Sequence, residues 1–323
     1  MATSLPCLVF DYGGERQATL YGASDGAYRP CEIGPLLTSQ RYWVTAQGWV
    51  LAWDPETSAT FLWDPQDPDD GRVTLPPLAE APPARSGCVL SGDPTSTDGC
   101  TVVIAAPYGK LWFCHTGSAA PAWARYNYNA GGSRAVVPRR DYHERNKRPQ
   151  ISRLAPYRGK FYYTIGKDEY GVLEFSPWPA LTTVKTYGIE LTFPPGGEQC
   201  LHASSFLLDL DDELHMVWIF FADMDLEAVT DIAVYKMGFA GSTCVRVDNI
   251  GDRAILAAST SDFAGWCDAT KFGVAPNTVY WMSHNDKHLH VYDIGTNTEE
   301  VHECQGVAGP SCPPFWLLPV HRP

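Results

Sequence analysis

Ten residues near the middle of the chain, Arg139-Arg-Asp-Tyr-His-Glu-Arg-Asn-Lys-Arg148, hold five positive and two negative side chains in a protein whose formal charge is -13. Guanidinium forks pair with carboxylate and phosphate oxygens through two parallel hydrogen bonds. Arg139, Arg140, Arg145, Lys147 and Arg148 therefore form the candidate partner-binding set, suited to an acidic or phosphorylated segment of another protein. The competing reading is a solvated connection.

The one histidine cluster is His284-Asn-Asp-Lys-His-Leu-His290. In a strand His288 and His290 share a face, so two imidazoles can approach one metal. Third and fourth ligands are not identifiable, and Asn285-Asp-Lys reads as a hairpin turn, so no metal is assigned. Asp209-Leu-Asp-Asp-Glu213 has the composition of a calcium loop but not the Gly and distant bidentate Glu of an EF-hand, and it reads as a turn between two apolar runs. Gly132-Ser and Gly241-Ser lack the flanks of a nucleophile elbow, and no Gly-x-x-x-x-Gly-Lys occurs. No catalytic residue and no cofactor is assigned, which favours a binder over an enzyme.

These groups must be carried by strands. The chain has 26 Pro, 28 Gly, 11 Trp, 16 Tyr and 13 Phe in 323 residues, and its apolar runs are short and rich in Val, Ile, Thr, Tyr and Trp. Segment boundaries recur about every forty residues, with up to four such runs in each interval. The first clear unit holds Arg41-Tyr-Trp-Val-Thr, Trp49-Val-Leu-Ala-Trp, Thr60-Phe-Leu-Trp and Arg72-Val-Thr-Leu, with Asp54-Pro and Asp64-Pro turns between them. The second holds runs at Gly87, Cys100, Lys110 and Ala122. The third opens on Ile151-Ser-Arg-Leu-Ala and continues at Lys160, Gly171 and Leu181. The fourth has runs at Ser204, Leu214, Asp231 and Cys244. A fifth runs from Val247 through Asn277-Thr-Val-Tyr-Trp and His290-Val-Tyr-Asp to Glu299-Glu-Val-His-Glu-Cys.

Residues 7 to 33 supply three further strand-like pieces and Phe315-Trp-Leu-Leu-Pro-Val supplies one, which together make a closing unit. The pattern predicts an all-β β-propeller, one domain over residues 1–323, with six blades of four-stranded antiparallel sheet and both chain ends in the closing blade. Seven blades is the alternative, since the connection from Asn129 to Arg148 has room for strands. In such a ring Asp252 and Arg253 fix the turn into an inner strand and hold neighbouring blades, while Trp43, Trp49, Trp53 and Trp63 pack between blades.

The negative charge and a pI near 5.0 exclude sequence-independent nucleic-acid binding, which draws on neutralising phosphates. No apolar run reaches about 18 residues, and the start Met1-Ala-Thr-Ser-Leu-Pro-Cys-Leu-Val-Phe lacks the basic and apolar regions of a secretory signal. The expectation is a soluble protein of the cytoplasm or nucleus without a membrane partner. Ten cysteines with no Cys-x-x-Cys read as buried, reduced thiols.

Ile250-Gly-Asp-Arg-Ala-Ile-Leu, Asn277-Thr-Val-Tyr-Trp, Val291-Tyr-Asp-Ile, Pro314-Phe-Trp-Leu-Leu-Pro and Trp53-Asp-Pro-Glu-Thr resemble, in this combination, the plant family long called domain of unknown function 295 (DUF295), now described as a KIB-type β-propeller and often found behind an F-box. Members with an F-box look like substrate-recognition subunits of cullin-based ubiquitin ligases. Propeller-like sequence begins here within the first ten residues, leaving no room for an F-box and thus no expected contact with a SKP1-type adaptor. The resemblance implies a protein-binding platform, an adaptor or decoy in plant signalling or stress response, and brings no catalytic residues. A site at the mouth of the central channel, serving an enzyme or small-ligand receptor, is the alternative, with polar residues converging at the starts of the inner strands.

Overall fold

The computed structural model describes residues 5–11, 18–31, 40–67, 71–83, 85–106, 109–128, 151, 153–166, 169–186, 202–223, 228–238, 243–258, 263–283, 287–304 and 314–321. Among the described residues twenty-five strands form six sheets arranged as the blades of a β-propeller, and one four-residue helix accompanies them. The first blade is β4 (Arg41–Val44), β5 (Val50–Trp53), β6 (Thr60–Trp63) and β7 (Arg72–Leu75). The second is β8 (Gly87–Leu90), β9 (Thr101–Ala106), β10 (Lys110–His115) and β11 (Ala124–Asn127). The third is β12 (Ala155–Tyr157), β13 (Lys160–Thr164), β14 (Glu169–Phe175) and β15 (Pro179–Lys185). The fourth is β16 (His202–Leu210), β17 (Glu213–Phe221), β18 (Val229–Gly238) and β19 (Thr243–Val247). Each is an antiparallel meander of sequential strands.

The closing blade runs β25 (Phe315–Leu317), β1 (Cys7–Phe10), β2 (Thr19–Gly22), β3 (Tyr28–Pro30). Its last strand in sequence is the inner one, paired antiparallel with the first: Cys7 lies opposite Leu317 and Val9 opposite Phe315. The two chain ends thus share one sheet, as the sequence predicts, and the ring has no seam at which a sheet edge stands open.

Six cores hold the blades, each filled from two neighbours, and the period of two decides which core a side chain enters. Leu8 and Phe10 pack towards the blade before the closure, whereas Cys7 and Val9 pack towards β4–β7. Val102, Ile104 and Ala106 face the first blade and Val103 and Ala105 face the third. Burial on both faces is why the central strands are almost continuously apolar, β17 being buried at every position after Glu213. Trp43 and Trp49 lie in the core between the first two blades and Trp63 in the core towards the closing blade, with Trp53 partly buried beside the former pair.

Two boundaries differ from the sequence expectation. The inner strand of the third blade is Ala155–Tyr157, four residues later than the run beginning at Ile151; Ile151 is instead buried behind it and donates its backbone N–H to the Tyr128 hydroxyl at 2.9 Å. The fifth blade has five strands, in the order β21 (Ala264–Asp268), β20 (Arg253–Ala258), β22 (Thr278–Met282), β23 (His288–Asp293), β24 (Thr298–Glu303). β21 was not expected. It folds back antiparallel to β20 and takes the innermost place beside β16, and the short helix α1 (Ala269–Phe272) returns the chain so that β22 runs parallel to β20. The connection at 129–150, the basis of the seven-blade alternative, lies outside the described residues.

Candidate binding site at the mouth of the central channel

Residues that follow the inner strands meet around one cavity. The turn after β4 contributes Ala46 and Gln47, that after β8 Ser91 to Asp93, and that after β12 Arg158. Asp211 and Asp212 join β16 to β17 with φ of 52° and 61°, the two left-handed residues of a two-residue hairpin turn. β21 adds Gly265, Trp266 and Asp268, and the segment after β25 adds His321. Together these residues, with Arg253 and Asp209, line a cavity of about 520 Å³ to which all six blades contribute.

Backbones close tightly around it. A Cβ on Gly265 would lie 2.1 Å from Leu318 Cδ1 and 3.1 Å from the Ala46 carbonyl oxygen, so only glycine lets β21 approach the closing strand. Trp266 forms the wall. Its indole N–H donates to the Asp209 carbonyl at 2.7 Å, Arg253 lies over its ring at 4.9 Å, and the His321 ring lies 4.1 Å from it. His321 Nε2 donates to the Trp266 carbonyl at 2.9 Å, and burial lowers the imidazole pKa from its usual value.

Arg253 organises the charges. Its Nε and Nη2 donate to the Asp211 carboxylate at 3.1 and 2.9 Å, and its Nη1 donates to Asp268 Oδ1 at 2.6 Å and to the Asp252 carbonyl at 3.1 Å. The pairing raises the guanidinium pKa further above its ordinary value. The expectation that Arg253 holds neighbouring blades is met through Asp211. Asp252 does something else: its Oδ1 accepts from Thr270 N and Oγ1 at 2.9 and 2.8 Å, anchoring α1. Asp209, just below the mouth, is pushed up to about 6 by burial first and by Asp212 and Asp211 next, and its Oδ1 has neither solvent contact nor a donor among the described residues.

On the inner strands the polar residues gather at the ends rather than the expected starts, while Arg253 stands at the start of β20, the second strand of its blade. The Asp209–Glu213 turn and Arg253 are both legible in the sequence, but as turn chemistry; only their place in the register of each blade marks them as channel residues. The basic set Arg139, Arg140, Arg145, Lys147 and Arg148 lies outside the described residues, as does His284. His288 and His290 do share a face of β23, with ring centroids 6.4 Å apart, and His290 is buried with its Nδ1 2.8 Å from Glu299 Oε1. Among the described residues no group of three or more His, Cys, Asp or Glu is gathered as a metal site, and no helix is long and apolar enough to cross a membrane.

A family model described as KIB1-4 beta-propeller matches residues 20–296. No curated protein matches the chain. Among solved structures the chain is similar to AztD from Citrobacter koseri, at 9% identity over 96% of this chain and 87% of that one with a TM-score of 0.37. It is also similar to a streptogramin B lyase, at 10% identity over 96% and 91% with a TM-score of 0.35. The Cps50 (Swd1) β-propeller domain from Myceliophteria thermophila stands at 12% identity over 94% and 88% with a TM-score of 0.36. Likenesses this remote carry no argument about function.

Proposed function

Since this chain belongs to the KIB1-4 β-propeller family, we propose that it is a protein-binding platform acting as an adaptor or decoy inside plant cells, in signalling or stress response. One observation carries the reading: a single concave face receives residues from every blade, and at its rim the Arg253–Asp211 pair is oriented across two blades. Such preorganised, half-exposed groups favour recognition, because little side-chain freedom remains to be lost when a partner docks. The basic set from Arg139 to Arg148 belongs to the same proposal, as a place for an acidic or phosphorylated segment.

The test is affinity capture of tagged protein from plant extract, run with three baits: the native chain, a charge swap of Arg139, Arg140, Arg145, Lys147 and Arg148 to Glu, and Asp209→Asn with Asp212→Asn. A stoichiometric protein held by the native bait and lost with either variant supports the platform. A partner held equally by all three overturns both surfaces. Recovery of a SKP1-type adaptor with cullin subunits would assign the ligase role, and a different single partner would assign an adaptor or decoy.

The cavity itself favours a second reading, a receptor or enzyme for a small ligand, because about 520 Å³ lies in the usual range of small-molecule pockets. Loss of small-molecule binding, with protein capture unchanged, in the Asp209 and Asp212 variant would select it.

A further inference from the structure

Ten residues join β8 to β9, Ser91-Gly-Asp-Pro-Thr-Ser-Thr-Asp-Gly-Cys100, and none of them is Lys or Arg. Both ends of this loop are fixed. Ser91 N donates to the Thr101 carbonyl at 2.9 Å, Thr101 N donates to Ser91 Oγ at 2.8 Å, and Pro94 and Cys100 are buried. Between these anchors Thr95, Ser96, Thr97 and Asp98 are exposed, so three successive hydroxyls and one carboxylate stand clear of the blade. The start of the same loop, Ser91 to Asp93, lines the channel mouth.

The three hydroxyls are not equivalent. Thr95 has a carboxylate three residues on, whereas Ser96 has Gly99 there and Thr97 has Cys100. Among the described residues one other exposed hydroxyl has this spacing, Thr296 with Glu299, and that carboxylate is taken by His290, whose Nδ1 lies 2.8 Å from Glu299 Oε1. The Asp98 side chain makes no hydrogen bond or ion pair among the described residues, so its charge is free to be read. Thr95 itself is held by one neighbour: its N and Oγ1 donate to Asp93 Oδ1 at 2.8 and 2.7 Å. Two turn bonds complete the loop, from Ser96 N to the Asp93 carbonyl at 3.2 Å and from Gly99 N to the Ser96 carbonyl at 3.0 Å. Turns with so few bonds, and on the surface, open locally without unfolding the blade.

We infer that Thr95 is a phosphorylation site for an acid-directed protein kinase, one whose substrate groove is basic three residues beyond the acceptor, and that Asp98 is the residue it reads. In the transfer Thr95 Oγ1 attacks the γ-phosphorus of ATP and the bond from that phosphorus to the oxygen bridging to the β-phosphate breaks. ADP leaves with the electron pair, and the hydroxyl proton passes to the kinase's catalytic carboxylate. The product has no hydroxyl to donate to Asp93 and sets a group of about −1.5 to −2 charge beside that carboxylate. Repulsion opens the turn, and the Asp93 edge of the mouth becomes more negative. The acceptor assignment stands by itself; its effect on docking rests on the reading of the mouth as the docking face.

The test is incubation of the intact, folded protein with purified casein kinase II and magnesium ATP, with the phosphate located by peptide mass spectrometry. Protein kinase A, which reads basic residues, is the control and is expected to leave this loop unmodified. One phosphate on Thr95 is expected, retained in Thr95→Ser, absent in Thr95→Ala and about tenfold slower to form in Asp98→Asn. Asp98 is exposed and its side chain bonds to nothing in the blade, so that variant keeps the fold. No phosphate on the folded protein, phosphate on Ser96, Thr97 or Thr296 instead of Thr95, modification only after denaturation, or an equal rate in Asp98→Asn overturns the inference. Locating the phosphate needs no partner. If capture fails while Thr95 is modified, the platform falls and the site stands; the converse result strikes the site alone.

Discussion

Arg253 and Asp211 stand on neighbouring blades of the ring and face each other as a two-pronged pair, Nε and Nη2 lying 3.1 and 2.9 Å from the carboxylate. The residues are 42 positions apart, one beginning β20 and the other opening the turn after β16. The pair is a clasp across the blade interface at the rim of the channel. Asp211 is half-exposed, so solvent screens the contact. In a double-mutant cycle of Arg253→Met with Asp211→Asn, the coupling energy from urea unfolding is expected at about 0.5–1 kcal/mol. Arg253→Met alone costs about 1–2 kcal/mol, because Asp268 and the Trp266 ring lose their cation as well. A coupling of zero would remove the clasp.

Asp209 makes stability fall as pH rises. Its folded pKa, pushed up to about 6, exceeds the ordinary carboxylate value, so between about pH 4 and pH 6 the native state holds a proton that the unfolded chain has released. The stabilising contribution is present at the acid end of this window and is gone above it. Asp209→Asn removes the effect: the variant is expected to be more stable than the native protein at pH 7, by on the order of 1 kcal/mol after allowing for partial solvent access, and to equal it near pH 4. Unfolding curves at pH 4, 5, 6 and 7 measure the difference, and parallel curves for the two proteins would contradict it.

Closing the ring depends on Trp316, wholly buried in β25, with its indole N–H donating to the Ala257 carbonyl at 2.9 Å. Trp316→Ala leaves a large cavity between the closing and fifth blades and is expected to cost about 3–5 kcal/mol. Trp316→Phe retains most of the packing and loses the hydrogen bond, for about 1–2 kcal/mol. Chemical denaturation of both variants gives the two values; similar small losses would mean that the ring closes without this anchor.

Gly171 is pressed by an aromatic ring across the strand pair. A Cβ there would come within 1.9 Å of the Tyr163 ring, and Tyr163 is buried opposite it in the register. Gly171→Ala is therefore expected to destabilise by about 1–3 kcal/mol, with Tyr163→Leu recovering part of the loss in the double variant. Thermal unfolding of the two single variants and the double one measures the effect, and additive losses would contradict it.

The eight described cysteines are all buried thiols. Burial raises Cys7 and Cys88 and pushes Cys100 and Cys114 up to about 11 and Cys267 up to about 12. At pH 8 about one Cys100 or Cys114 thiol in a thousand is ionised, and all eight lie buried, so a thiolate-specific reagent is expected to leave them unmodified in the native protein and to modify them on denaturation. Mass spectrometry after brief labelling identifies any exception.

Much of the fold was written in local pattern. Runs such as Leu214–Phe221 and Thr101–Ala106 are too short for buried helices, too apolar for one-sided strands and bounded by turns, which leaves strands buried on both faces. The pieces at Cys7, Thr19 and Tyr28 lacked a fourth strand and Phe315–Leu317 lacked a sheet, so closure followed from the need to cover edges. Ala264–Asp268 escaped this logic. Its sequence, Ala-Gly-Trp-Cys-Asp, carries little intrinsic strand preference, and it forms β21 because Gly265 lets it press against Leu318 and Ala46 at the axis.

What the chain determined by itself was therefore each blade and the way the ring ends meet, since hydrophobic period and turn chemistry act over a few residues. Tertiary structure alone decided the channel mouth. Gln47, Asp93, Arg158, Asp209, Arg253 and His321 span most of the sequence and have no shared pattern in it. They become neighbours only because six inner strands end on one side of a closed ring, where burial and then the nearby Asp212 and Asp211 raise the proton affinity of Asp209.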